Sequence, residues 1–335
     1  MQITVLSGGV GGARFVRGLV RALAAPLDEV PPGPEPATPV TVIGNTGDDI
    51  TLFGLRVCPD LDSVLYTLGG SVDEDQGWGR AGDTHELLAE LGELGVGPDW
   101  FGLGDRDLAT HVARSLWLGQ GLSLSEVTAR LARRWGLPDQ GVRLLPVTDT
   151  PIETHVVVPD EEGGERAIHF QEWWVRHGAA LPAGAFTVAG LAQAAPAQGV
   201  LEAIRSADVV VLPPSNPVVS IGIILGVPGV RDALRGTRAP VVGVSPLIGG
   251  RPVRGHADAC LAPLGVDVSA TGVAGLYADF LDGWLVDHAD ADADYPSRLR
   301  VRSTDLLMRD VPGAARLAGE LLDLAADLTP GANAS

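Results

Sequence analysis

The sequence predicts an α/β fold: a parallel sheet carried by strand–helix–strand units and interrupted near its middle by a mostly helical insertion. Three observations carry this expectation. Ile3 to Leu6 is a short apolar run followed at once by Gly8-Gly9-Val10-Gly11-Gly12, and Ala13 to Ala25 then sets Phe15, Leu19 and Leu23 on one helical face. Val40 to Ile43 reads as a second buried strand, and a strand–helix–strand opening implies parallel pairing. Far downstream, Val209 to Leu212, Val241 to Val244 and Leu285 to Val286 are further short apolar strands, each ending in a polar or glycine-rich loop.

The other elements follow in order. Pro31, Pro32, Pro34, Pro36 and Pro39 mark an exposed connector after the first helix. From about Ser63 to Gly141 helical segments dominate, the clearest being Thr84 to Leu94, Ala109 to Leu118 and Ser123 to Trp135. The last of these opens with Ser123-Leu-Ser-Glu126, a capping box. Thr154 to Val158 and Arg166 to Val175 flank Pro159 to Gly164 and read as an antiparallel hairpin. Ala314 to Leu328 closes the chain as an amphipathic helix before a frayed tail. Residues 1–62 and 200–335 thus form a Rossmann-like nucleotide-binding core, and 63–199 the insertion.

Composition narrows the function. The 335 residues carry a net charge of −18, a field that repels nucleic-acid backbones and anionic membranes. All 24 basic residues are Arg, which removes Schiff-base lysine chemistry and the lysine of phosphate-binding ATPase loops. Cys58 and Cys260 are too few for a disulfide scaffold, and the start lacks a signal-type segment, so a cytoplasmic location is expected. The apolar stretch from Val209 to Val230 is broken by Pro213, Pro214, Ser215, Asn216 and Pro217 and is no membrane span.

Four polar loops sit at predicted strand ends, where ligands bind in parallel α/β folds. They are Ser7 to Gly12, Asn45 to Asp49, Pro213 to Pro217 and Ser245 to Gly250. The first gives a phosphate free N–H groups at a helix start, or is simply a tight turn. Arg14 replaces the third glycine of a dinucleotide fingerprint, which argues against a nicotinamide dehydrogenase. Carboxylates in Asn45-Thr46-Gly47-Asp48-Asp49 and in Cys58-Pro-Asp60-Leu-Asp62 suit Mg²⁺ beside substrate phosphates, although an isolated Asp at these places would cap a helix or close a turn. Gly104-Asp105-Arg106-Asp107 precedes a helix carrying His111 and Arg114, by pattern alone ordinary helix-start chemistry with Asp105 as a cap. Phe170, Trp173 and Trp174 are either core or a stacking surface for an aromatic ligand. The run from Asp287 to Asp294 lacks the glycine and terminal glutamate of a calcium loop.

Taken in order, these loops resemble the 2-phospho-L-lactate transferase family, most of all its actinobacterial phosphoenolpyruvate transferases of coenzyme F-420 biosynthesis. The resemblance runs from the first strand to about Gly275 and includes the final helix. It implies transfer of a phosphoenolpyruvyl or 2-phospho-L-lactyl group from a guanylyl diphospho donor to the terminal ribityl hydroxyl of the deazaflavin Fo, with release of GMP and no protein nucleophile. Carried over, Gly8, Gly9, Gly11, Gly12, Ser215, Asn216, Ser245 and Gly249 would hold the guanylyl diphosphate. Asp49 and Asp62 would be the catalytic and Mg²⁺ positions, with Asp62 orienting the Fo hydroxyl, and Asn45 and Thr46 would complete the substrate contacts. The insertion, with Asp105 and Arg106, would shape the Fo pocket. A homodimer is expected on the same ground.

Two departures favour the bacterial branch and enolpyruvate. Gly102 stands where some archaeal members have a basic residue, and Val10 and Gly12 differ from the archaeal Gly-Thr-Gly-Thr loop. A different class, the nucleotide-sugar-binding regulators of the gluconeogenesis-factor type, resembles the glycine loop and the Asn45 to Asp49 segment. The Cys58 to Asp62 and Gly104 to Asp107 segments argue for the transferase.

Overall fold

The computed structural model describes residues 1–24 and 39–329. The fully buried strand β1 (Ile3–Ser7) runs into α1 (Gly9–Leu23), and β2 (Val40–Gly44) pairs with β1 in parallel. A small hairpin, β3 (Ile50–Leu52) and β4 (Leu55–Val57), leads into α2 (Pro59–Leu68), whose proline fills the first helical position, where no N–H is needed. Helices α3 (Glu86–Glu93), α4 (Asp105–Gly119) and α5 (Leu124–Arg134) precede β5 (Val142–Pro146). Strands β6 (Glu153–Pro159), β7 (Glu165–His169) and β8 (Ala185–Ala189) form a separate antiparallel sheet with β6 in the middle. Then come α6 (Val200–Arg205), β9 (Val209–Leu212), α7 (Ile221–Gly226), α8 (Val230–Gly236) and β10 (Val241–Val244). A two-residue ribbon, β11 (Leu247–Ile248) and β12 (Arg251–Pro252), is followed by α9 (Ala257–Leu261) and α10 (Ala270–Leu276). Strands β13 (Gly283–Val286) and β14 (Arg300–Ser303) and helix α11 (Val311–Leu328) end the described chain.

The central sheet has seven parallel strands in the order β14-β13-β10-β9-β1-β2-β5. The chain winds outward from β1 through β2 to β5, then crosses to β9 on β1's other side. That reversal opens a crevice beyond the carboxyl ends of β1 and β9. Alternate strand residues serve two cores. Ile3, Val5, Val40 and Val42 join Leu317, Leu321 and Leu324 of α11 on one face, while Leu6, Ile43, Val210 and Leu212 join Ile224, Val230 and Trp284 on the other. Helices α1 and α11 lie close enough that a Cβ on Gly18 would stand 2.4 Å from the Ala314 carbonyl carbon.

Several elements differ from expectation. Helix α1 starts at Gly9, so most of the glycine loop is its first turn. Helix α4 begins at Asp105, four residues ahead of the expected Ala109. The capping box is present, with Ser123 Oγ accepting from Glu126 N–H and the Glu126 carboxylate accepting from Ser123 N–H. The second hairpin strand stops at His169 and gives way to a π-helical turn over Glu172–Arg176, and β8 adds a third strand. Within 63–199, expected as insertion, β5 belongs to the central sheet: Val40 pairs with Val142 and Gly44 with Pro146. Strand β14 was also missed, because Arg300-Val-Arg-Ser alternates charge with one apolar residue, as sheet edges do. The proline connector up to Pro36 and the expected frayed tail lie outside the described residues.

Candidate active site

The crevice is a cavity of about 430 Å³, and all four polar loops reach it: Gly8 to Gly11 after β1, Asp48 after β2, Pro214 to Asn216 after β9, and Ser245 with Pro246 after β10. Gly8 is extended and Gly9 has φ +59°, a conformation that side chains resist. Ser215 laces two loops together, its Oγ donating to the Gly8 carbonyl at 2.7 Å and accepting from Gly8 N–H at 3.2 Å. Gly12 does not line the cavity. A Cβ there would fall 2.2 Å from Ser7 Oγ and 2.6 Å from Ser215 Oγ, so this glycine serves packing. Asn216 lines the cavity while its Oδ1 accepts from Val218 and Val219 N–H, and Ser245 bonds the backbone of Leu247. Gly249 lies outside, its N–H donating to Asp290.

The acidic residues divide differently from expectation. Asp49 does not line the cavity; its carboxylate is held by Cys58 Sγ at 3.0 Å and Arg56 at 3.6 Å. Burial raises it to about 7 in spite of Arg56. The cavity carboxylates are Asp48, Asp60, Asp62 and, on α4, Asp107. Burial pushes Asp48 well above the usual carboxylate range, and the charge of Asp60 pushes it further; burial raises Asp60 as well. Asn45 is buried behind them, donating to Asp60 Oδ2 and to the Val219 carbonyl, and Thr46 is likewise buried away from the cavity. Sequence alone could not separate Asp48 from Asp49, because one step along a turn decides which side chain faces in, whereas Asp60 and Asp62 both reach the cavity.

Asp62 lies at the end of a buried chain of polar groups. Its Oδ1 accepts from Arg114 Nη2, and Arg114 Nη1 is 3.1 Å from His111 Nδ1. A guanidinium only donates, so Nδ1 accepts and the His111 hydrogen sits on Nε2, 3.3 Å from Asp107 Oδ1. Asp107 also accepts from Tyr66 Oη. Burial works to raise Asp107, but the hydrogen bonds from His111 and Tyr66 outweigh it and hold the carboxyl below its ordinary value. Asp107, His111 and Tyr66 line the cavity, whereas Asp105 and Arg106 do not. Asp105 instead accepts from Glu86 and Leu87 N–H at the start of α3, and Arg106 is exposed. The Gly-Asp-Arg-Asp segment therefore delivers its last residue to the cavity and uses its second as a cap.

Two further walls complete the site. Arg14 and Arg254 line it, donating to the carbonyls of Glu74 and Gln76. Trp173 is core, its Nε1 donating to the Leu181 carbonyl, while Trp174 lines the cavity with its ring centroid 5.0 Å from that of His256. The aromatic pair thus splits between both readings.

A cavity at the strand-order reversal of a parallel sheet, lined by a glycine turn, two arginines and four carboxylates, defines an α/β small-molecule site that works by positioning and charge. The chain belongs to the 2-phospho-L-lactate transferase (CofD) family, whose model matches residues 3–320, and it is a transferase. It is similar to the phosphoenolpyruvate transferase of Thermobifida fusca (58% identical, covering 98% of this chain and 99% of that protein). It is also similar to that of Streptomyces coelicolor (53% identical; 98% and 99%). Its fold is shared by the crystal structure of a UPF0052-family protein from Bacillus halodurans, 16% identical, with a TM-score of 0.59 over 96% of this chain and 98% of that one. Among the described residues no helix is long and apolar enough to cross a membrane.

Proposed function

We propose that the protein transfers a phosphoenolpyruvyl group from a guanylyl diphospho donor to the terminal ribityl hydroxyl of Fo, in the F-420 biosynthesis that its family serves. The hydroxyl oxygen bonds to the phosphorus bearing the three-carbon acid, the bond from that phosphorus to the GMP oxygen breaks, and the hydroxyl proton passes to Asp62. The observation that carries this reading is the joining, in one cavity, of a glycine turn rich in N–H groups with the unengaged Oδ2 of Asp62. Nothing in the reaction requires a protein nucleophile. Enolpyruvate is preferred over lactate because the relatives at 58% and 53% identity are named for it.

The glycine turn and the Arg14–Arg254 pair bind the diphosphate, since N–H donors and guanidinium forks both match phosphate oxygens. Trp174 offers a face to a planar ring. The residues also fit Mg²⁺: Asp48 Oδ1 is buried without a partner, and the Asp48 and Asp60 carboxylates repel each other. These two would hold the ion, in place of the expected Asp49 and Asp62. Bound there, it would neutralise phosphate charge. A cytoplasmic homodimer is the state we assign by family likeness.

The test is mass spectrometry of the purified protein with Mg²⁺, Fo and each guanylyl donor in turn. Dehydro-F-420-0 from the enolpyruvyl donor is expected. Preference for the lactyl donor would overturn the acid, and nucleotide binding without product from either donor would favour a regulatory binding protein.

A further inference from the structure

The segment between α2 and α3 closes on itself at a neck. Val72 and Arg80 pair in an antiparallel bridge, Ala81 N–H donates to the Ser71 carbonyl at 2.8 Å, and the Arg80 guanidinium lies 5.0 Å from the centre of the Trp135 ring. Beyond that neck Asp73 to Gly79 form a strap tied down by three arginines. Arg14 donates to the Glu74 carbonyl at 2.7 Å, Arg254 donates to the Gln76 carbonyl, and Arg17 holds the Glu74 carboxylate through both terminal nitrogens. Gly77 is seated so closely that a Cβ would fall 2.7 Å from Val10 of the glycine turn and 2.9 Å from the Arg254 guanidinium. On the other side the Trp78 ring reaches the insertion, where a Cβ on Gly102 would stand 4.0 Å from Trp78 Cη2. Trp78 lines the cavity, yet it is 42% exposed and joins none of the buried apolar clusters of the described residues. A ring of that size held between site and solvent adds little to the core; what it does is cover the site. Two of the three tethers, Arg14 and Arg254, are themselves cavity residues, and each donates once to a strap carbonyl. A guanidinium has five N–H groups, so both can hold diphosphate and strap together.

We infer that Trp78 is the residue that keeps water from the reacting phosphorus, and so sets the choice between transfer to the acceptor alcohol and hydrolysis of the donor. Water competes with the acceptor as an oxygen nucleophile. Its oxygen would bond to the phosphorus bearing the three-carbon acid, and the bond from that phosphorus to the GMP oxygen would break. One water proton would pass to Asp62 and the other would stay on the new phosphate, giving GMP and phosphoenolpyruvate. With the strap down, the indole occupies the opening through which water reaches that phosphorus. Because donor phosphates and strap share Arg14 and Arg254, the cover is firmest when the donor is bound. A strap that only braced α1 against the insertion would leave hydrolysis unchanged when its ring is removed. The inference rests on the proposed transfer to Fo, and adds the residue that selects the nucleophile.

The experiment measures, by mass spectrometry, the free phospho acid formed per transfer product in wild type, Trp78→Ala, Trp78→Phe and Arg17→Met. Each protein is given Mg²⁺, Fo and the guanylyl donor that wild type uses, and an enzyme-free blank is subtracted. Wild type should form little free phospho acid. Trp78→Ala should raise the ratio about tenfold, since an opened site lets water compete. Trp78→Phe keeps a ring and should stay within about threefold of wild type. Arg17 ties the strap from outside the cavity, so Arg17→Met should raise the ratio without touching the phosphates, and it decides the matter if Trp78→Ala does not fold. General damage to the site lowers both products and leaves the ratio where it was. A Trp78→Ala ratio equal to that of wild type therefore overturns the inference, even where kcat falls, while transfer by wild type stands. Wild type that forms transfer product with neither guanylyl donor overturns the reaction itself, which separates the two failures.

Discussion

The side-chain amide of Asn45 joins three segments: it donates to Asp60 Oδ2 at 2.9 Å and to the Val219 carbonyl at 3.1 Å, while its oxygen accepts from Gly47 N–H at 2.9 Å. One buried side chain thus ties the end of β2 to the first turn of α2 and to the loop before α7. Both amide hydrogens are spent, so Asn45 is a strut for Asp60. Asn45→Ala should cost about 1–3 kcal/mol, the penalty of stranding buried partners. It should also lower activity, because Asp60 loses its bearing. Urea unfolding and kcat measured together check this, and unchanged stability would remove the strut.

Asp48 and Asp60 set function against stability. Both face the cavity and each resists ionisation, by burial first and, for Asp48, by its neighbour next. Asp48→Asn should therefore stabilise the metal-free protein, by about 1 kcal/mol for one relieved like-charge contact. The same change should cut activity about 100-fold if the pair holds Mg²⁺. Thermal unfolding in chelator, beside activity against Mg²⁺ concentration, separates the effects. A variant both less stable in chelator and fully active would contradict both parts.

Much of this architecture was legible in the sequence because buried parallel strands announce themselves. Val209 to Leu212 and Val241 to Val244 are unbroken runs without a polar residue, Val40 to Ile43 is interrupted only by the β-branched Thr41, and all became central strands. Val142 to Pro146 escaped notice because Arg143 interrupts it and a run of helices precedes it in sequence, so its partnership with β2 is purely tertiary. The four loops were legible as a set, since each follows such a strand. Which side chain in each loop reaches the cavity was not. Asp105 and Asp107 are two residues apart on one helix, about 200° around its axis, so one caps α3 while the other meets Tyr66 and His111.

Gly12 illustrates that difference between motif and contact. Its absent side chain makes room for the Ser7 and Ser215 hydroxyls. Gly12→Ala should destabilise the protein by about 1–3 kcal/mol through overpacking. It should also weaken nucleotide binding by shifting Ser215 away from Gly8. Adding Ser7→Ala to Gly12→Ala should recover part of the stability, which a double-mutant cycle of unfolding free energies will show. Additive effects would mean that the crowding is relieved elsewhere.

On the far face, Asp279 accepts from Arg231 Nη2 at 2.6 Å and from Arg235 Nε at 2.5 Å. The hydrogen bond from Arg231 and then that from Arg235 hold its carboxyl down at about 2. A depressed acid contributes stability above its unfolded pKa of about 3.9 and loses it as pH falls through about 2. Because the cluster is partly exposed, Asp279→Asn should cost only about 1 kcal/mol at pH 7. The gap between variant and wild type should close below pH 3. Unfolding in urea at pH 7 and near pH 2 measures it, and a gap that persists in acid would mean that the lost interaction was never ionic.

Arg254 carries the last prediction. It and Arg14 line the cavity wall close enough that burial first and the Arg14 charge second hold Arg254 below the usual arginine range. Glu74 approaches Arg14 only to 3.9 Å, and Arg254 donates to a neutral carbonyl, so the two cations are left under-compensated. A diphosphate would relieve that repulsion, whereas the neutral polyol chain of Fo would not. Arg254→Ala should therefore raise the KM for the guanylyl donor about tenfold, the worth of one charge-assisted hydrogen bond, while leaving the KM for Fo nearly unchanged. Arg254→Lys should recover the charge but not the fork, and so only part of the affinity. Steady-state kinetics with each substrate varied in turn distinguish the two, and a rise confined to the KM for Fo would place the phosphates at the other end of the cavity.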